Sequence, residues 1–283
     1  MQETIFSAAF YGVILPMVVA AVVLLVGWRP WQERSGERVR WAPPLAFGLA
    51  YSATHIGLGG KPETMPYIVA GITVVGLAES FYPDVQPLHW VRRAAVVPLL
   101  LWLVAGFMFE NSWSTTQALL WSGGLAVAVA GMIGSFDAIL ERHQGILGPV
   151  VLTIFGTGAA LVLALNNTAR IGQLIGGLTA AAAVSAAVSW WRHEAYVSRG
   201  GVTVFVLTLA TVYASGYFQL FEQPVWASVA LLAAPHLLWV GEFGGLAEME
   251  GWKGTALRVG LIAVAVGIAF GLGYASGMGG GSD

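Results

Sequence analysis

Two residues with chemical potential fall inside apolar runs of this chain: His236, directly after Pro235, and Arg258. A charged side chain at membrane depth is expensive, so it turns to protein or water, pairs with an opposite charge, and commonly marks a binding or conduction path. Counted back from Gly241, where one run ends, His236 lies about 7 Å inside at 1.5 Å per residue, and Arg258 lies at a similar depth in the next run. On neighbouring antiparallel helices, the two border one polar cavity. Pro235 has no N–H, which frees the carbonyl of Leu231 and predicts irregular backbone at the same level. Such backbone is tolerated in a membrane only against protein or water. Glu79 and Asp137, at the same ends of two other runs, are the carboxylates placed to supply counter-charge. The substrate-cavity candidates are therefore His236, Arg258, Asp137 and Glu79. Two plainer readings compete: Arg258 snorkels to the interface, and His236 bonds a neighbouring carbonyl.

Other chemistries find little footing. There is no Cys, which excludes disulfides, thiolate metal sites and Cys nucleophiles. Neither His-Glu-x-x-His nor Gly-x-Ser-x-Gly occurs, and Gly-x-x-x-x-Gly-Lys-Ser/Thr is absent. Ser276 beside Gly277 has no base near it in sequence, so the reading leans away from an enzyme. His55, in Tyr51-Ser52-Ala53-Thr54-His55, falls in the leaflet opposite His236. The two cannot flank one haem iron, which needs both ligands at one depth. His89, His143 and His193 fall in loops, and no cofactor and no metal are expected. Glu63, Glu110, Glu141, Glu194, Glu222, Glu248 and Glu250 read as loop or interfacial carboxylates.

The elements that hold these residues follow from composition. The chain is 57% hydrophobic and 10% charged, far below the quarter or so of charged residues in soluble domains. Runs long enough to span a bilayer cover approximately 5–27, 42–59, 65–80, 94–110, 115–136, 147–165, 171–190, 201–220, 224–241 and 254–276. The third is short. Charge decides its status. If all ten cross, one side holds Arg29, Arg34, Arg38, Arg40, Arg92, Arg93, Arg142, Arg192, Arg199, Lys253 and Arg258, and the other holds Lys61 and Arg170. If the third does not cross, the later loops change sides and the asymmetry that orients membrane proteins largely disappears. Ten crossings place both termini outside the cytoplasm. Trp28, Trp31, Trp41, Trp90, Trp113, Trp190, Trp191, Trp239 and Trp252 fall at span ends, where an indole suits the headgroup region. Met1–Phe10 carries no basic residue and reads as part of a retained span rather than a signal peptide.

The fold class expected is all-α: a polytopic helical bundle forming a single transmembrane domain over 1–276, with a flexible Gly-rich tail at 277–283. Stripes of small residues, which let helices approach in lipid, occur as Gly124-Ala128-Gly131-Ser135, Gly177-Ala181-Ser185-Ser189 and Ala263-Gly267-Gly271-Ala275. Each predicts a helix contact. The lipid bilayer is the expected partner, with other membrane subunits or further copies of the chain also open. Nucleic acid is excluded by the lack of a basic face. The function expected is a permease of a small or amphiphilic molecule without its own ATPase, in a cell membrane of bacterial inner-membrane type. The alternative is a non-catalytic subunit of a larger membrane complex.

Overall fold

The computed structural model describes residues 2–28, 40–60, 64–81, 96–100, 102–104, 106, 108, 112–143, 145–165, 169–191, 197–220, 225–249 and 251–279. Among them every predicted run is helical, and no strand occurs. The helices are α1 (Gln2–Ala9), α2 (Leu15–Trp28), α3 (Ala42–Gly57), α4 (Thr64–Phe81), α5 (Thr115–Arg142), α6 (Leu147–Leu165), α7 (Ala169–Trp191), α8 (Arg199–Leu220), α9 (Val225–Ala233) and α10 (Gly251–Gly279). Helical backbone also covers 96–100 and 102–104. Seven segments are long and apolar enough to cross a membrane, and Met65–Phe81 is a shorter apolar helix. The chain is an all-α membrane bundle.

Two prolines shape the longer segments. Pro16 cannot donate to the carbonyl of Gly12, and the turn before it widens into a π segment, Phe10–Ile14, closed by Leu15 N–H on Phe10 O. Pro235 acts the other way. From Ala234 to Glu242 the backbone tightens into a 3₁₀ helix of nine residues, where runs beyond three or four are uncommon. The irregular backbone expected at Pro235 is therefore present. α5 starts at a reciprocal cap, with Gln117 N–H on Ser114 Oγ (3.3 Å) and Ser114 N–H on Gln117 Oε1 (2.9 Å). It continues to Arg142, six residues past the predicted end, because Asp137 to Arg142 favours helix and carries Asp137 within the bundle.

One end of the bundle gathers the gaps rich in basic residues. Ser198 Oγ donates to Arg40 O (2.8 Å) and lies 3.2 Å from Ser80 Oγ; Arg199 pairs with Glu141, and Arg142 with Glu242. Described residues that flank five of the gaps, Arg40, Ser80, Glu141 with Arg142, Ser198 with Arg199, and Glu242, thus meet at one face. α8 lies at the centre, with 83% of its membrane window buried, whereas α10 is peripheral, at 28%. α4 and α8 approach so closely that a Cβ on Gly200 would overlap the Gly76 carbonyl.

The three small-residue stripes divide. In α7, Ala181, Ser185 and Ser189 are fully buried, and a Cβ on Gly177 would overlap Thr54 of α3. In α5 the lower half makes contact, with Gly131 and Ser135 meeting His236, while nothing among the described residues comes within 4 Å of a Cβ placed on Gly124. In α10 the expectation fails. Ala263, Gly267, Gly271 and Ala275 are all exposed, and nothing among the described residues comes within 4 Å of a Cβ placed on Gly267 or Gly271. The packed face of α10 is instead Gly254, Arg258, Ile262, Ala265, Ala269 and Gly273. Positions two apart on a helix lie on nearly opposite sides, so Gly267 points away from the face of Ala265 and Ala269. Of the predicted interfacial tryptophans, Trp190, Trp191 and Trp252 are exposed. Trp31 and Trp90, the side chain of Trp28, the cations Arg29, Arg34, Arg38, Lys61, Arg92, Arg93 and Arg192, and residues 280–283 of the tail lie outside the described residues, whereas 277–279 continue α10.

Candidate functional site

The 3₁₀ segment positions the site. With three residues per turn, side chains at i and i+3 stand one above the other. His236, Trp239 and Glu242 therefore form one row, which faces α5, while Pro235, Leu238 and Gly241 form a buried second row and Leu237, Val240 and Phe243 an exposed third. An α-helix would rotate each successive member of the first row by about 60° and spread it over a third of the circumference. The tight helix keeps all three on one neighbour.

His236 Nδ1 lies 2.8 Å from Ser135 Oγ, which also accepts the Trp239 indole N–H at 3.2 Å. An indole only donates, so Ser135 Oγ accepts from Trp239 and keeps its own proton available for Nδ1. Gly131, one turn before Ser135, makes room for the ring: a Cβ there would sit 3.2 Å from His236 Cε1. The Trp239 ring lies beneath the Arg142 guanidinium, 5.4 Å from its centroid, a cation–π arrangement.

Glu242 closes the row. Arg258 Nε and Nη2 both donate to Glu242 Oε1, at 2.9 and 2.7 Å; Nη2 also reaches Gly241 O (3.2 Å), and Nη1 reaches Gly254 O (3.1 Å). All three guanidinium nitrogens are engaged, in a side chain only 1% exposed. Gly241 and Gly254 supply the two carbonyls and leave space beside them, since a Cβ on either would crowd the arginine. His143 Nε2 lies 2.8 Å from Glu242 Oε1, and Arg142 Nη1 donates to Oε2 at 3.3 Å. One carboxylate thus ties α5, the 3₁₀ segment and α10 together. Breaking such a pair by removing one partner leaves an uncompensated buried charge.

The four sequence candidates do not converge on one point. Arg258 does not snorkel, and it does not face His236: Trp239 stands between the His236–Ser135 contact and the Glu242–Arg258 pair. Its counter-charge is Glu242, not Glu79 or Asp137. Glu79 is fully buried elsewhere, on α4, where Thr203 of α8 donates to it. Asp137 is buried on α5 and engaged by its surroundings. His55 stacks on Tyr51 at the far end of α3, with 6.2 Å between ring centroids. Among the described residues no three His, Asp or Glu side chains gather as metal ligands.

Depth counting missed Glu242 because it took Gly241 as the last membrane residue and assigned the residues beyond it to a loop. A signal was present all the same. A carboxylate at the end of one run and an arginine five residues into the next face each other across a short antiparallel hairpin, and the turns at Gly244 (φ 57°) and Gly251 (φ 62°) reverse the chain between them.

Next to the row lies a cleft of about 140 Å³ between α5, the helical residues Val97, Leu100 and Val104, α8 and α9. Trp121, Leu125, Val129 and Met132 form its α5 wall, and Leu231 and Leu232 continue it on α9. The lining is almost wholly apolar; Tyr213 and Ser228 satisfy each other across it, 2.9 Å apart. None of His236, Arg258, Asp137 and Glu79 lines it. An aromatic group of Trp113, Trp121, Tyr217 and Phe218 sits towards the start of α5, with ring centroids 5.1 to 6.0 Å apart. Buried hydroxyls elsewhere, such as Thr54, Thr73, Thr179 and Ser185, bond the carbonyl four residues back. They complete their helices. Comparison with protein-family models, with curated proteins and with solved structures finds no match to this chain.

Proposed function

We propose that this chain is a permease-like membrane protein that moves an amphiphilic molecule across a cell membrane of bacterial inner-membrane type, without an ATPase of its own. The observation that carries the reading is the apolar cleft between α5, α8 and α9, which lies one helical turn from the polar row of Ser135, His236 and Trp239. An apolar chamber with a polar end suits a molecule with an apolar body and a polar head, and suits a hydrated ion poorly. The Pro235 break adds a segment able to move: long 3₁₀ stretches commonly mark hinges.

In this reading all ten helical runs cross, and the face that gathers Arg40, Arg142 and Arg199 is cytoplasmic. The hydrogen bonds joining those gaps support it. A reporter active only outside the cytoplasm, fused after Asp283, should give signal, and fused within 34–40 should give none. The reverse pattern overturns the orientation. Transport itself is tested in liposomes containing the purified chain and a fluorescent single-chain amphiphile distributed over both leaflets. A membrane-impermeant reductant bleaches only the outer pool of protein-free vesicles, and an active permease exposes the inner pool as well. An inner pool that stays protected for every head group tried ends the transport reading.

One observation favours a second reading, a subunit of a larger membrane assembly: the bare stripe Ala263-Gly267-Gly271-Ala275 on the outside of α10. Mild solubilisation separates the two. A permease runs as a monomer or small homo-oligomer, and an accessory subunit brings unlike chains with it.

A further inference from the structure

The face of α5 that lines the cleft does not stop at Met132. Trp121, Leu125, Met132, Ser135 and Arg142 succeed one another at intervals of three, four and seven residues, so they share one side of the helix. From Trp121 to Arg142 the track spans about 31 Å at 1.5 Å per residue, close to the roughly 30 Å hydrocarbon core of a bilayer. Its character changes along that length. Aromatic rings and the apolar cleft occupy the first half, the Ser135–His236–Trp239 contacts come next, and Arg142 and His143 stand at the end.

Charge at that end is unevenly satisfied. The Arg258 guanidinium donates twice to Glu242 Oε1, which His143 also reaches, so this carboxylate is largely committed to the buried arginine. Arg142 holds it by a single bond of 3.3 Å, and 55% of its side chain is exposed. A guanidinium carries five N–H donors. With its Cζ 5.4 Å from the centroid of the Trp239 ring and one donor on Glu242, Arg142 keeps donors for a bidentate anion such as a phosphate or carboxylate. We infer that this track binds a long-chain amphiphile with an anionic head, its hydrocarbon tail in the cleft between α5 and α9 and its head on Arg142 and His143. The inference rests on the amphiphile reading of the cleft and adds the charge and direction of the molecule: head towards the Arg142 end, tail towards Trp121.

The test measures binding rather than transport. Phosphatidylglycerol and phosphatidylcholine with identical acyl chains, each bearing a diazirine at mid-chain, are incorporated separately into vesicles with the full-length chain, irradiated, and the labelled residues mapped by mass spectrometry. Tail label should concentrate on Leu125 to Met132 of α5 and on Leu231 and Leu232 of α9. The anionic lipid should label there roughly fivefold more than the zwitterionic one, the factor expected for one basic residue acting on an anionic lipid. Arg142→Gln should bring the ratio close to unity, and Arg142→Lys should keep much of it. Equal labelling by the two lipids in the parent protein overturns the inference without any variant, as does a preference that survives Arg142→Gln or a tail label spread evenly over every lipid-facing helix. Selective labelling without flux refutes the permease reading alone; flux without head-group selection refutes this inference alone.

Discussion

α7 and α10 carry the same sequence pattern, small residues at four-residue spacing over three turns, and come to opposite ends. On α7 the stripe is the packing surface: Ala181, Ser185 and Ser189 are sealed, and Gly177 lets α3 in as far as Thr54. On α10 the stripe is bare, and the helix is held on its other side by Ile262, Ala265 and Ala269 and at its start by Arg258. Small residues permit close approach but do not supply the partner. A helix joins the bundle along whichever face gives it more. For α7 that is backbone proximity along its whole length, and for α10 it is three charge-assisted and carbonyl hydrogen bonds from Arg258 to Gly241 and Glu242.

The largest expected effect tests that contrast directly. Glu242→Ala should lower stability by about 3 to 5 kcal/mol, because Arg258 would stay buried with only the Gly241 and Gly254 carbonyls. Thermal unfolding in detergent reads this out. Replacing both members, Glu242→Leu with Arg258→Leu, should recover most of the loss, since an apolar pair often matches a buried ion pair. A Glu242→Ala protein as stable as its parent would mean that α10 is not held at its charged end.

How far the sequence foretold this arrangement depends on which interaction is asked about. Helix existence was legible throughout, because an apolar run of bilayer length admits little else, and most ends agree to within three residues; Asp137, taken as a boundary, misled because a carboxylate inside the bundle resembles one at its edge. The break at Pro235 was legible from the missing N–H. Its product was not. A switch to three residues per turn re-aims every later side chain of the segment, so the row of His236, Trp239 and Glu242 cannot be drawn on an α-helical wheel. The cleft was hidden for another reason: Leu125, Val129 and Met132 are the residue types that also face lipid, and only the spacing of four helices separates a chamber wall from a lipid-facing surface.

A smaller effect is expected at the α7 side of the comparison. Gly177→Leu must displace Thr54 or part α7 from α3, and should cost about 1 to 3 kcal/mol as overpacking, read again by detergent melting. If Thr54→Ala in the same background restores stability, the clash lies where the structure places it. Full stability of Gly177→Leu alone would remove the distinction between the two stripes.

Within the locked end, Trp239→Phe keeps an aromatic face beneath Arg142 and deletes only the indole N–H that Ser135 accepts. The expected loss is about 0.5 to 1.5 kcal/mol, the net worth of one hydrogen bond. Ser135→Ala in the Trp239→Phe background should add less than it does alone, because the two residues share that bond. Strict additivity would show that the row is three separate contacts rather than one connected device.

The smallest effect is expected where the sequence pattern promised a large one. Gly267→Leu with Gly271→Leu places two branched side chains on a surface that meets nothing within 4 Å among the described residues. An isolated chain should therefore tolerate both within about 0.5 kcal/mol, as exposed substitutions usually are, with any shift tending towards stability because leucine favours helix over glycine. The measurement is the melting temperature of the monomer in dilute detergent, beside Gly177→Leu under the same conditions. A loss comparable to that of Gly177→Leu would mean that the stripe is packed after all, as its spacing suggests, and that α10 sits against the bundle in another rotation. No loss in the monomer, together with a changed oligomeric state or lost co-purifying chains in milder detergent, would assign the stripe to contacts between chains. It would then explain why α10 carries a packing surface that its own fold leaves bare.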